Sequence, residues 1–205
     1  LVTEPRHYVE PRFSPDGKTV VYRKISGGYC LSPQWSNEPG LYRVSVAGGY
    51  PVKISDDGVN PQFNADGSRI LFSVRGKDGL ELRSVDLNGL DERTHASGEN
   101  VTQYQLSPDG HWLAFTEHFT AWIMPFTDAT QAVSVSRKGT AVPVHRVSQR
   151  AGEFLHWSAD GKTLRWSNGP LLQSRTVADA QDQSQNGADL PASDEVTVRN
   201  IDLSF

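Results

Sequence analysis

The chain is poor in sulfur: its 205 residues include one cysteine and one methionine. With Cys30 alone no internal disulfide can form, which excludes a disulfide-stapled scaffold but does not fix the compartment. Long apolar runs are also missing. The longest, Ala121 to Phe126, falls far short of the roughly 20 residues a membrane helix needs, so no membrane span is expected. There is no basic surplus: 20 Lys and Arg against 24 Asp and Glu give a net charge of −4. A nucleic-acid partner is therefore disfavoured. No stretch sustains an apolar period of 3.6, so almost no helix is expected. The chain opens on Leu1, and no charged-then-apolar export signal follows. That start reads as a processed or excised piece of a longer protein.

What the chain does have is a repeat. Hydrophobic residues make up 37% and glycine is frequent, with 18 copies, which excludes wholesale disorder. One ten-residue pattern occurs four times: FSPDGKTVVY from Phe13, FNADGSRILF from Phe63, LSPDGHWLAF from Leu106 and WSADGKTLRW from Trp157. Its aspartates, Asp16, Asp66, Asp109 and Asp160, are 50, 43 and 51 residues apart. Those spacings lie close to the roughly 40–50 residue period of four-stranded propeller blades. The pattern has a physical reading as a tight turn. Proline presets φ, the aspartate can bond its own nearby backbone, and Gly17, Gly67, Gly110 and Gly161 accept positive φ. After each turn an aliphatic and an aromatic residue sit two apart and so share one face of a strand. Val20 with Tyr22, Ile70 with Phe72, Leu113 with Phe115 and Leu164 with Trp166 are the expected core face.

Further strands are expected at 41–46, 80–86, 121–124 and 171–176, with outer strands at 51–55, 91–95 and 144–147. Asn88-Gly89 is a strong hairpin signal between two of them. The repeats divide residues 1–177 into units of about 5–55, 56–97, 98–148 and 149–177. Residues 178–195 are polar, acidic and free of aromatics, and read as a linker or loop. Residues 196–205 return to apolar alternation and read as a terminal strand. The expected fold class is all-β: a propeller with about four four-stranded antiparallel blades, part of a larger propeller.

The Ser-Pro-Asp-Gly turn followed by aliphatic-x-aromatic resembles the repeat of TolB-type β-propellers, over roughly residues 5–176. The flanks carry a narrower likeness. Gly98 to Tyr104 (GENVTQY), Trp122 to Phe126 (WIMPF) and Gly152 to Ser158 (GEFLHWS) are similar to the N-terminal propeller of exported bacterial metal-dependent amidohydrolases. Val198 to Phe205 (VRNIDLSF) is similar to the segment leading into the catalytic barrel of that family. The resemblance implies a periplasmic or secreted protein. It also implies a metal in the parent's catalytic domain, and a propeller that shapes substrate access or scaffolds that domain.

Chemistry within the chain itself is hard to find. A metal-dependent hydrolase needs clustered histidines, typically His-x-His. The six here, at 7, 95, 111, 118, 145 and 156, show neither that spacing nor His-x-x-x-His. The Gly-x-Ser-x-Gly elbow of a serine nucleophile is absent. Cys30 lies in an apolar setting without a local histidine, as a small packed residue does. A calcium site would need six or more converging oxygens, whereas one aspartate per blade serves its own turn. No catalytic residue, metal ligand or cofactor is therefore assigned to this chain. The candidate binding residues are aromatics in long or exposed loops: Tyr29 and Trp35 in the insertion 27–40, and His118 with Phe119 between two strands of the third unit.

Three functions stay open from the sequence. The first is a non-catalytic propeller module of an exported amidohydrolase-like protein, with its own catalytic domain as partner. The second is a TolB-like module docking a protein or peptide, with open blade edges that could also join copies of the chain. The third is a small metal-dependent propeller hydrolase.

Overall fold

In the computed structural model of the chain, residues 2, 7–25, 38–128, 132–138 and 142–186 are described. The first sheet contains β1 (His7–Phe13), β2 (Thr19–Ile25), β3 (Gly40–Ser45) and β4 (Val52–Ser55), adjacent in that order. The second contains β5 (Val59–Phe63), β6 (Arg69–Gly76), β7 (Gly79–Asp86) and β8 (Arg93–Gly98). The third is built on β9 (Val101–Leu106), β10 (Trp112–Glu117) and β11 (Thr120–Pro125). A two-residue strand, β12 (Val133–Ser134), lies beside β8, and β13 (His145–Arg146) completes the third sheet next to β11. The fourth sheet has three strands among the described residues: β14 (Glu153–Trp157), β15 (Thr163–Asn168) and β16 (Leu171–Thr176). Within the sheets, neighbours next to one another in sequence pair antiparallel, and short turns join β1 to β2, β6 to β7, β10 to β11 and β15 to β16. The sheets fall into two compact units, one reaching Ser97 and including Val133, the other holding Gly98–Asp128 and the residues from Ser134 onward.

The turn of each repeat is built from its own side chains. Ser14 Oγ donates to Asp16 Oδ1 at 2.6 Å, and the same carboxylate oxygen accepts from Lys18 N at 3.0 Å. Ser14 Oγ then accepts from Thr19 N at 2.9 Å, which pins the first residue of β2. Ser107 with Asp109 and Ser158 with Asp160 repeat the arrangement. In the second repeat, Asn64 takes the serine's place and accepts from Arg69 N at 3.0 Å. Gly17, Gly67, Gly110 and Gly161 all have φ between 70 and 75°, a region that costs any residue with a Cβ.

In the first three repeats both faces of the strand after the turn are buried, whereas in the fourth Leu164 and Trp166 are buried and Arg165 between them is exposed. Val20 and Tyr22 are buried, but so is Val21 between them; Ile70, Leu71 and Phe72 behave alike, as do Leu113, Ala114 and Phe115. The aliphatic-x-aromatic pattern reveals one face only. Inside each unit two sheets stack on one another, which covers the face of Val21 in the first and of Ala114 in the second. In the first unit Val21, Leu41 and Ile54 of the first sheet pack with Ile70, Phe72 and Val85 of the second. In the second unit Ala114, Ala121, Ile123 and Val147 pack with Leu155, Trp157, Leu164 and Trp166. A large aromatic on one sheet thus meets small or branched aliphatics on its neighbour, which fills the space without overpacking.

The linker reading of 178–195 needs correction at its start. Helix α1 (Val177–Asn186) occupies its first residues. Composition hid two features that fix the helix. Thr176 caps it, accepting from Asp179 N at 3.1 Å, while its hydroxyl donates to the Asp179 carboxylate. Ala180 is fully buried in the core of the second unit, with Val177 packed against that core. Residues 187–205, including the expected terminal strand, lie outside the described residues.

The first strands of neighbouring sheets are joined by side-chain-to-backbone bonds. Each of β1, β5 and β14 carries an irregularity, between Val9 and Arg12, Val59 and Gln62, and Glu153 and His156. At those bulges Glu10, Asn60 and Phe154 have positive φ of 57, 51 and 54°. A bulge frees a backbone N–H from the ladder, and the preceding sheet satisfies it. Glu10 Oε2 accepts from Asn60 N at 2.7 Å, while Glu10 Oε1 accepts from Arg23 at 2.7 Å. In the second unit Gln103 Oε1 accepts from Leu155 N at 3.2 Å, and Trp157 Nε1 donates to the Gln105 carbonyl at 3.0 Å.

Two outcomes follow. Glu10→Ala strips Asn60 N and Arg23 of a charged acceptor and is expected to cost about 1.5–3 kcal/mol, measured by urea unfolding; a change below a few tenths would contradict this role. The second concerns acid. The Ser14 hydroxyl and Lys18 N–H hold the Asp16 carboxyl below its ordinary 3.8; the Ser68 and Ser158 hydroxyls, with nearby N–H groups, do so for Asp66 and Asp160. For Asp109, burial pushes upward, but the Ser107 hydroxyl and His111 N–H outweigh it. A carboxylate depressed in the native state stabilises it fully above about pH 4 and loses that contribution as pH falls through the native value. The melting temperature is therefore expected to drop on acidification from about pH 4 to about pH 2. The drop should be shallower in a Ser14→Ala, Ser107→Ala, Ser158→Ala variant. Equal slopes would show that the turn carboxylates do not set the acid response.

Candidate interaction site

Among the described residues of the second unit, the hairpin joining β10 to β11 is the one place where two successive non-glycine residues have positive φ. Glu117 pairs with Thr120, leaving only His118 and Phe119 in the turn. Both have positive φ, 48 and 64°. Two-residue hairpins favour this geometry because it matches strand twist, and they favour Asn-Gly within it because other side chains are strained there. A histidine and a phenylalanine each carry a cost of about 1–2 kcal/mol in this region. The phenylalanine gains little burial in return, since Phe119 is 69% exposed.

The surroundings hold this turn rigidly. Glu117, at its base, is buried, with 4% of its surface exposed. Its carboxylate accepts from Ser136 Oγ at 3.2 Å and from Arg137 N at 2.5 Å, tying the segment around Arg137 to the hairpin. The Phe119 carbonyl accepts from Gly152 N at 2.7 Å, and Thr116 Oγ1 donates to the Gly152 carbonyl at 2.9 Å. No larger residue fits at Gly152, because a Cβ there would lie 2.6 Å from that of Ala121. Two residues further on comes Phe154, 75% exposed and itself at positive φ. One end of the second unit therefore presents two exposed phenylalanines, both on left-handed backbone and joined through Gly152.

Of the four binding residues read from sequence, the structure places His118 and Phe119 together in this turn, both exposed. Tyr29 and Trp35 lie outside the described residues, as does Cys30. Phe154 went unrecognised in the sequence. A signal was available, because the equivalent positions in the other repeats hold Glu10, Asn60 and Gln103, and only here does an aromatic stand in their place.

One constellation looks catalytic and is not placed for it. Ser84 Oγ lies 2.7 Å from His95 Nε2, within reach of nucleophile activation. Yet Ser84 is fully buried and His95 nearly so. The serine oxygen also accepts from Arg69 Nε at 2.9 Å, and Arg69 continues to Asp91 at 2.8 Å. A guanidinium donating to the attacking oxygen draws electron density away from it. This group locks β6, β7 and the start of β8 together.

The other histidines are dispersed. His111 is exposed beside Asp109. His145 packs edge-on against Trp112, and burial lowers its pKa below 6.5. Among the described residues no three His, Cys, Asp or Glu side chains are grouped to hold a metal ion. Among them, too, no helix is long and apolar enough to cross a membrane.

No family model matches the sequence, and no curated protein matches it. Solved structures do match. TolB from Acinetobacter baumannii is similar over 82% of this chain and 40% of its own, with a TM-score of 0.59 at 15% identity. A chain of the nidogen/laminin complex matches 84% of this chain and 62% of its own, with a TM-score of 0.55 at 17% identity. A protein of unknown function from Desulfotomaculum acetoxidans gives 0.51 at 14% identity, over 82% of this chain and 51% of its own. The chain thus spans between 40% and 62% of the length of these three structures. With its repeated small antiparallel sheets and this likeness to TolB, the chain has the β-propeller fold.

Proposed function

We propose that the chain is a non-catalytic β-propeller module that docks a protein or peptide partner through the Phe119 and Phe154 end of its second unit. The observation that carries this reading is the exposed Phe119 in a two-residue turn that geometry would give to Asn-Gly. Backbone strain of this kind persists where the surrounding structure over-determines it, and it clusters at ligand clamps and binding surfaces. A partner that covers both phenyl rings recovers about 1.5–3 kcal/mol per ring, and rigid aromatic anchors lose little entropy on binding. The Ser84–His95 pair is buried and bonded to Arg69, so this pair offers no accessible nucleophile. The structural neighbour found in the nidogen/laminin complex belongs to an assembly of two proteins, which lends this reading support by analogy of fold.

A narrower form of the reading places the module beside the catalytic domain of an exported, metal-dependent amidohydrolase, in the periplasm or outside the cell. The flanks 98–104, 122–126 and 152–158 support it by resemblance. There the partner of the docking end is the hydrolase domain itself. Removing these residues from the parent is then expected to change its activity, substrate range or stability; a parent indifferent on all three counts would refute this form.

The docking reading itself has a sharper test. Replacing His118 and Phe119 by Asn and Gly relieves the turn and is expected to raise the melting temperature. If the phenylalanine is there for a partner, the same double variant loses a partner that the wild-type chain captures from envelope extract, as does Phe154→Ser. A variant that is more stable and still binds as well as wild type would leave the turn without this role.

A further inference from the structure

The sequence contains three Asn-Gly pairs, at 88–89, 168–169 and 186–187. Asn-Gly can rearrange without any enzyme. The glycine nitrogen attacks the asparagine side-chain carbonyl carbon, ammonia leaves and a five-membered succinimide closes. Water then opens that ring on either side, giving aspartate or isoaspartate. Glycine permits this because no Cβ hinders the attack and its backbone turns freely. Whether it happens in a folded protein depends on how firmly that nitrogen and that side chain are held.

Asn88 and Gly89 are held at both the attacking nitrogen and the side-chain carbonyl. Gly89 N donates to the Asp86 carbonyl at 3.1 Å, and Asn88 N donates to Asp86 Oδ1 at 2.8 Å. Asn88 Oδ1 accepts from Arg43 at 3.4 Å. Gly89 is also packed so closely on β4 that a Cβ there would lie 2.5 Å from the Ile54 carbonyl oxygen. Asn168 and Gly169 are the opposite case. Asn168 pairs with Leu171 at the end of the β15–β16 hairpin, so Gly169 and Pro170 form the turn. Gly169 and Pro170 are exposed, and nothing lies within 4 Å of a Cβ built at Gly169. Among the described residues, no hydrogen bond engages Gly169 N–H or the Asn168 side-chain amide.

We propose that Asn168–Gly169 is a self-modification site, at which the native chain deamidates while Asn88–Gly89 is protected. The product carries a new carboxylate at the hairpin end. In its isoaspartyl form one methylene is added to the main chain, directly where the Asn168–Leu171 pair sets the register. This inference does not depend on the docking function.

The test is incubation of the full folded chain at mildly alkaline pH, followed by peptide mapping with mass spectrometry. Conversion at Asn168 is expected to outrun conversion at Asn88 several-fold. In denaturant the two sites should react at comparable rates, which separates the fold's contribution from that of the dipeptide. Asp86→Ala removes the carboxylate that clamps the Asn88 loop and is expected to raise the Asn88 rate toward that of Asn168. Equal rates in the folded chain, a faster Asn88, or no conversion at Asn168 would each overturn the proposal. Asn186 is carried on a separate peptide and does not confound the comparison.

Discussion

The bond from an inner-strand side chain to the bulge of the next sheet is the constraint on which the rest depends. A β-sheet blade has one apolar face too many to stand alone, and stacking covers it only if neighbouring sheets keep a fixed register. Sheet faces slide easily, since burial of apolar surface is non-directional. Glu10 reaching Asn60 N, and Gln103 reaching Leu155 N, supply the direction. Each fixes one strand at one height against its neighbour. Large side chains such as Phe72 and Trp166 can then interdigitate with the smaller ones that share their clusters, among them Val21 and Ala114. The bulge that makes the bond possible also forces a non-glycine residue into positive φ, so cohesion and strain arise from the same few residues.

Much of the fold was legible in the sequence because the turn is chemically self-sufficient. The side chains of Ser14 and Asp16 bond only within residues 14–19, so the same letters carry the same shape wherever they occur. Strand order followed, since short turns leave antiparallel neighbours little choice. The second buried face of the strand after the turn was less visible. Val21 and Ala114 are apolar for the sake of a neighbouring sheet about 50 residues away, and a single repeat does not announce that. Helix α1 was hidden for a related reason. Its composition is polar, and what fixes it is one capping threonine and one buried alanine, Thr176 and Ala180.

The candidate site was half legible. Phe119 stood out as an aromatic in a loop, but the sequence could not show that the loop has only two residues or that both are left-handed. Phe154 stands at the start of β14 and not in a loop. Leu155 and Trp157 are buried while residues 154 and 156 are exposed, so strand alternation turns Phe154 outward, and the irregularity beside it accompanies its positive φ. Which face of β14 is covered is a tertiary fact. The contrast with Glu10, Asn60 and Gln103 at the same repeat position is the trace such a fact leaves in a sequence.

Strain also distinguishes the two places where function could reside. Ser84, His95, Arg69 and Asp91 form a buried network without a single left-handed residue until Asp91 at its exposed rim. Every bond in it works toward holding three strands, and relaxation would gain nothing. His118 and Phe119 are the reverse: two side chains kept in a costly conformation by Glu117, Thr116 and Gly152, with an apolar ring turned to solvent. Stability alone would favour Asn-Gly in that turn, and the chain has Asn-Gly available elsewhere, at residues 88–89. A fold that can place the favourable pair at one turn and places a histidine and a phenylalanine at another is using the second turn for something besides folding. Because Glu117 and Gly152 hold the backbone from both sides, the main chain that carries the ring is fixed before any partner arrives. That pre-organisation is what makes an exposed aromatic useful for binding rather than merely costly.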